Sequence, residues 1–400
     1  MVDLWLTVYG NQPSPLEDPT FLLNEFQAQR NVKVRVERMA FEEAWPKLLN
    51  FALHGGGPHI SLVGSIWTST LQSMNVLRPF SAAEINNLGG AKAFFPGAWD
   101  NAIASETEAW SIPYNVFTYL VLYRKDLLAR AGVREAGAFS SARAFIDTVR
   151  SLKEAGVATP LLLPSGKPFQ ARPHLLASWI WGAGGNFIDA EGRRPMFTEA
   201  EAIRGLVDFF SLYRLMPPAD RGLSASETIP RFANGQAAVI IAGATSQEAL
   251  LQANLPEVLE NVGVAPLPGV PWIGGSNLIL WKEVRMNLEQ ERLALELAKL
   301  LTTPRAQVKL AAAMYSIPAR VEALSQLPFA VEAFRAAVEQ SVRFGRSYPT
   351  VKLWVRIMNE LRNVFDAITA DVLNNPGEQI EPILQRRLSP IANRLKLMLS

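Results

Sequence analysis

The 400-residue sequence predicts an α/β protein with two sheet-bearing regions and a helical C-terminal stretch. Three observations predict it. Strand-like and helix-like runs alternate from the first residues, the alternation resumes near Ile112, and after about Asn287 the pattern reads as helix.

Leu4 to Tyr9 reads as a strand that ends at Gly10-Asn11. Asp18-Pro19 looks like a helix start, Asp as N-cap and Pro at the first helical position, with Phe21, Leu22 and Phe26 as the apolar face. Val32 to Val36 alternates with period two, as a half-buried strand does. Phe41 to His54 reads as helix stopped by Gly55-Gly56-Gly57, and Ile60 to Val63 as a short buried strand. This β-α-β-α-β order implies a parallel sheet with helices on its faces. Beyond Ile112, the spacing predicts a strand over Phe117 to Tyr123 and a helix over Lys125 to Ala131, ended by Gly132. Another helix is expected over Ser140 to Ala155, and a capping box, Thr198-Glu-Ala-Glu201, ahead of a long amphipathic helix. Ala237 to Ala242, Val262 to Pro266 and Ile273 to Trp281 read as strands. From Tyr348 to Leu373 the apolar positions, Trp354 among them, fall on one helical face and read as core. No repeat, low-complexity tract or serine-rich linker separates the two regions, so they are expected to interweave.

Composition narrows the function. Thirty-nine basic and 37 acidic residues give a formal net charge of +2, too small to argue for nucleic acid or an anionic membrane as partner. With no cysteine, disulfides, thiolate metal sites and a cysteine nucleophile are excluded. The histidines are His54, His59 and His174, none paired at the helical spacing of a zinc site. No run of about 18 apolar residues could span a bilayer. The first strand-like run begins at once, so no signal peptide is visible; a trimmed leader and an intracellular location both stay open.

Catalytic motifs are missing: no GxSxG, HExxH or GxxxxGK[ST] occurs. Gly182-Ala-Gly184-Gly185 lacks full dinucleotide spacing and reads as a loop after a helix. Glu42-Glu43 and Glu106/Glu108 read as solvated faces. No enzyme activity, cofactor or metal is expected. The informative feature is tryptophan, ten in the chain against seven tyrosines. Trp5, Trp67, Trp110 and Trp272 read as strand-end residues, and Trp179 and Trp181 cluster. Aromatic faces stack on the C–H faces of sugars while Asn, Gln, Ser and backbone groups bond the hydroxyls. Each tryptophan also has a plain reading as core.

Several segments, in order, resemble family 1 extracellular solute-binding proteins of ABC importers, the group that includes maltose-binding protein. They are Gly57-Pro58 to Trp67, Ile112 to Leu128 with Ala131-Gly132-Val133, Phe232 to Gly243, Val264 to Gly269 with Gly274-Gly275-Ser276-Asn277, Leu300 to Gln307 and Ile317 to Arg320. The resemblance implies an α/β, two-lobed periplasmic-binding-protein-like fold of type II. Each lobe would be a sheet flanked by helices. Lobe 1 would hold 1–111 and about 269–316, and lobe 2 about 112–268 and 317–400. Hinge crossings are expected near 111–113, 265–268 and 314–318. A solute would bind in the cleft and closure would bury it. The sequence departs from many relatives at His59, where Asp is common, and at Phe117 and Tyr119, where a charged pair is common. An aromatic, less charged site favours an apolar-faced or neutral ligand.

The expected ligand contacts are Asn11, Gln12, Ser65 and Trp67 from the first lobe and Tyr114 and Asn115 across the hinge. Trp179, Asn186 and Trp272 are expected from the second lobe, with Gly274, Gly275, Ser276 and Asn277 beside them. Tyr315 and Tyr348 are further candidates, with helix packing as their alternative. Arg346 could anchor a ligand or be a surface arginine. The leading expectation is a monomeric capture protein for a mono- or oligosaccharide that hands it to membrane permease subunits. It would be periplasmic or extracellular, membrane-associated if a lipoprotein leader was removed. A ligand-sensing module built on the same clamp is the alternative.

Overall fold

A computed structural model describes residues 2–9, 20–102, 108–167, 169–282, 286–313 and 315–399. The chain opens with β1 (Val2–Tyr9), α1 (Thr20–Arg30), β2 (Val32–Met39), α2 (Phe41–His54), β3 (Ile60–Gly64) and α3 (Ser65–Ser73). Short strands β4 (Leu77–Arg78), β5 (Phe80–Ser81) and β6 (Glu108–Ala109) lead to β7 (Ile112–Phe117) and β8 (Tyr119–Arg124). Then come α4 (Ala142–Glu154), α5 (Arg172–Gly182), α6 (Ala200–Tyr213), α7 (Ala225–Ala233), β9 (Val239–Gly243), β10 (Val262–Pro266) and β11 (Gly274–Trp281). The chain closes with α8 (Leu288–Leu301), α9 (Pro304–Ala313), β12 (Ile317–Pro318), α10 (Phe334–Phe344), α11 (Trp354–Asn374) and α12 (Ile380–Leu399).

Two compact units result. Unit 1 is Met1–Phe117, Ile273–Phe329 and Ser347–Val355; unit 2 is Thr118–Trp272, Ala330–Arg346 and Arg356–Ser400. Their boundaries fall a few residues away from the expected crossings near 111–113 and 265–268. Residues 314–318 lie within the second segment of unit 1, and the chain passes on at 329/330, 346/347 and 355/356.

Unit 1 is organised by a sheet of order β12-β7-β11-β3-β1-β2, with β4 also on β11. β1 lies parallel to both β2 and β3, as the βαβ reading required. β11 runs antiparallel between β3 and β7, which makes the sheet mixed. The α2 face buries Ala44 and Leu48 against Val63, Trp67, Leu71 and Trp281. Gly55 and Gly56 stop that helix with φ of +69° and +68°, a conformation that costs glycine nothing.

Unit 2 holds the antiparallel sheet β10-β8-β9. α5 is buried on nearly every side, through Leu175, Leu176, Trp179 and Ile180 among others. Gly205 of α6 lets the two helices touch: a Cβ there would lie 2.3 Å from the Trp179 carbonyl oxygen. The Arg172 side chain is fully buried and pairs with Asp366 of α11 at 2.6 Å. The Asp366 carboxylate also accepts the Phe169 N–H.

Four local expectations are corrected. The strand over 117–123 breaks at Thr118, because its hydroxyl donates to the Trp272 carbonyl at 2.8 Å while β7 and β8 join different sheets. The box at Thr198 does not form: α6 is capped at Glu199 without a side-chain bond, and Glu199 is taken by Arg194. The stretch after Asn287 is not all helix: β12 pairs with β7, and α11 starts only at Trp354. Trp354 is core, as its face predicted. Trp5 and Trp67 are not strand-end residues. Trp5 sits in the middle of β1 with Arg35 over its ring, and Trp67 lies inside α3.

Candidate functional site

In unit 1 the chain leaves β1 to one side for β2 and returns on the other side for β3. The carboxyl ends of β1 and β3 therefore flank a point where the winding reverses, the place where open α/β sheets hold ligands. Tyr9 ends β1 and Gly64 ends β3, and Ser65 opens α3 directly after it. β11 is in register there: Ser276 lies opposite Gly64 on one side and Asn115 on the other.

This register assembles a polar network. The Tyr9 and Ser276 hydroxyls are 2.8 Å apart. The Ser276 N–H donates to Asn115 Oδ1 at 2.9 Å, and Asn277 Nδ2 donates to Thr68 Oγ1 at 3.2 Å. Gly275 makes the approach possible, since a Cβ there would lie 2.1 Å from the Asn115 carbonyl oxygen. α3 has no side-chain cap, so the positive end of its dipole stays at this edge. Trp67 stacks on Trp45 at 5.6 Å and tilts against Tyr9 at 5.3 Å, an aromatic wall beside the polar groups. Burial pushes the Tyr9 hydroxyl up to about 12, against a smaller opposing effect of the Ser276 bond. It also raises Tyr114, where Arg38 opposes the shift. Both phenols are therefore neutral donors and acceptors at ordinary pH, suited to hydroxyls and not to acid–base work.

Ser65, Trp67, Asn115, Gly274, Gly275, Ser276 and Asn277 thus share one strand-end region. Tyr114 is buried and, with Asn115, lines a small pocket against Gln307 and Leu310 of α9. Tyr315 takes a left-handed φ of +47° next to that pocket's Ser316. Tyr348 packs on Trp354 at 4.6 Å. Asn11 and Gln12 lie outside the described residues. Tyr9, Trp45 and Thr68 were missed. Tyr9 was read only as the end of a strand, and nothing in the sequence marks which strand ends meet.

Unit 2 carries its own aromatic group. Trp272 stacks on His174 at 4.0 Å with 13° between the rings, and on Tyr119 at 6.1 Å. His174, Ser178 and Trp181 share one face of α5 by helical spacing, and the Ser178 hydroxyl accepts the Trp272 N–H at 3.1 Å. Desolvation pulls the His174 imidazole down to about 3, so it is neutral. Trp179 is core, wedged between Phe145 and Phe209 at 5.8 and 5.6 Å. Asn186 Oδ1 is buried with no partner among the described residues. Among the described residues no group of three or more acidic or histidine side chains could hold a metal ion, and no helix is long and apolar enough to cross a membrane.

A family model described as bacterial extracellular solute-binding protein matches residues 14–308. No curated protein matches the sequence. Solved structures match over the whole chain. The sugar-binding protein MalE from Xanthomonas citri is 21% identical with a TM-score of 0.82, covering 100% of this chain and 97% of that one. Maltose-bound MalE3 from T. maritima is 20% identical with a TM-score of 0.77, covering 100% of both chains. An ABC transporter solute-binding protein from Thermotoga lettingae, bound to α-D-tagatose, is 17% identical with a TM-score of 0.78 and covers 100% of both.

Proposed function

The chain belongs to the bacterial extracellular solute-binding proteins, and on that premise we propose that it captures a carbohydrate for an ABC-type importer. The observation that carries this reading is the strand-end network of unit 1. Tyr9, Ser276 and Asn115 set neutral donors and acceptors beside the half-buried Trp45, whose ring stacks on the core Trp67, with the buried Asn277–Thr68 bond beneath. Sugars ask for this pairing: an aromatic face for their C–H groups and neutral polar groups for their hydroxyls. The structures of similar fold whose ligands are sugars support the same reading.

The protein works outside the cytoplasmic membrane, hands its solute to membrane permease subunits, and binds as a monomer. Calorimetric titration of the full chain with mono- and oligosaccharides tests the reading, with amino acids and polyamines as controls. A saccharide binds, and Tyr9→Phe weakens it about 5- to 15-fold, the loss of one hydrogen bond of about 1–1.5 kcal/mol. Binding confined to amino acids or polyamines would overturn the reading.

A further inference from the structure

Unit 2 positions a guanidinium that the fold does not neutralise. Residues 272 and 346 form a parallel bridge, and the Arg346 N–H donates to the Pro271 carbonyl at 2.8 Å. That bridge sets Arg346 next to Trp272, which is itself stacked on His174 and fastened to Ser178. The guanidinium carbon lies 5.0 Å from the ring centre of Trp181, one face of the cation resting on the indole. Among the described residues no carboxylate pairs with it. Elsewhere in unit 2, Arg124 is paired with Asp126, Arg172 with Asp366 and Arg231 with Asp220. Desolvation by its surroundings pulls the Arg346 guanidinium below its ordinary value, although the residue remains exposed to solvent. Two residues earlier, at the end of α10, Phe344 is 71% exposed.

We propose that this surface of unit 2 is a subsite for an acidic saccharide, a pyranose bearing a carboxylate of the uronate type. The inference rests on the carbohydrate reading above and specifies its ligand class. The planar fork of Arg346, oriented by Trp181, matches a carboxylate with two parallel N–H···O bonds. A sugar hydroxyl returns only a neutral acceptor for the water the guanidinium gives up, so it leaves the charge uncompensated. In this subsite Phe344, exposed two residues earlier in the chain, would supply an apolar face for the C–H side of the ring. Tyr119 and His174, the groups stacked on Trp272, are neutral at ordinary pH.

The test titrates the full chain with di- and trigalacturonate and with the matching neutral galacto-oligosaccharides, at fixed ionic strength and with acetate as an anion control. The acidic sugars bind at least about tenfold tighter than the neutral ones, a charge-assisted pair against a neutral bond. Arg346→Gln removes that preference, and Arg346→Lys, which keeps the charge without the fork, retains part of it. Phe344→Ala, at an exposed position, weakens both sugar classes and leaves the melting temperature of the free protein in place. Equal or tighter binding of the neutral sugars, or a preference that survives Arg346→Gln, overturns the subsite. Neutral sugars binding while acidic ones fail overturns this inference alone. Failure of both classes also overturns this inference, and the carbohydrate reading falls with it only if the wider panel of mono- and oligosaccharides fails as well.

Discussion

Gly275 takes a φ of +141°, and a Cβ there would come within 2.1 Å of the Asn115 carbonyl oxygen. Gly275→Ala is therefore expected to cost at least about 2 kcal/mol through backbone strain and a forced separation of β11 from β7. Urea unfolding reads this as a lower midpoint with an unchanged slope. His174 gives a second prediction at this scale. Its folded pKa of about 3 lies below the ordinary 6.5, so the unfolded chain binds the extra proton first. Its contribution to stability is complete above about pH 6.5 and is lost as pH falls toward 3, at no more than about 1.4 kcal/mol per pH unit. His174→Gln flattens that part of a stability profile measured by denaturant melts from pH 7.5 to 4.5; an unchanged slope would contradict it. Neither residue was legible for these reasons. Gly274 and Gly275 read as ligand contacts within a strand, and nothing local named Asn115 as the backbone that Gly275 approaches. His174 read as a lone histidine because its stacking partner is nearly a hundred residues away.

Helices and strands were more readable than their ends. Period-two alternation found β2, and glycines found the end of α2, since both signals are local and act through the backbone itself. Capping was less secure. Thr198 fitted a box by spacing, yet α6 starts after Glu199, whose carboxylate is engaged by Arg194. The elements of unit 2 are tied by charge as well as by packing. Arg172, on the first turn of α5, meets Asp366 on α11 and the Tyr213 hydroxyl of α6. Asp366→Asn leaves a buried guanidinium without its counterion and is expected to cost about 3–5 kcal/mol. Replacing both partners, Arg172→Met with Asp366→Leu, is expected to recover much of that, because the desolvation cost disappears with the charges. Thermal melts of the single and double variants check the order; a double variant weaker than both singles would contradict it.

At the scale of the molecule, each unit is assembled from three separate segments. Residues 118–272 carry the sheet of unit 2 but not its closing pieces. Without the rest of the chain Arg172 lacks Asp366, and Gln247 loses the Val331 N–H it accepts at 3.0 Å. A chain of residues 118–272 alone is therefore expected to stay without a cooperative near-UV dichroism transition, whereas the full chain shows one. A sharp transition in the fragment would refute the interdependence. This interweaving is also why no tether was visible in the sequence.

By itself the sequence determined the α/β class, the β-α-β-α-β opening, the absence of thiol chemistry and the order of segments that places the chain in its family. Those are local or compositional properties, carried by side-chain period, by glycine and proline, and by what residues are present. Only the tertiary structure decided which candidates share a surface. It gathered Gly64, Asn115 and Ser276 by strand register, joined Tyr9 to Ser276 through their hydroxyls, committed Trp179 to a core and set Arg346 against Trp181. Contacts between residues tens to hundreds of positions apart depend on how sheets wind and helices dock, and no short window of sequence contains both partners.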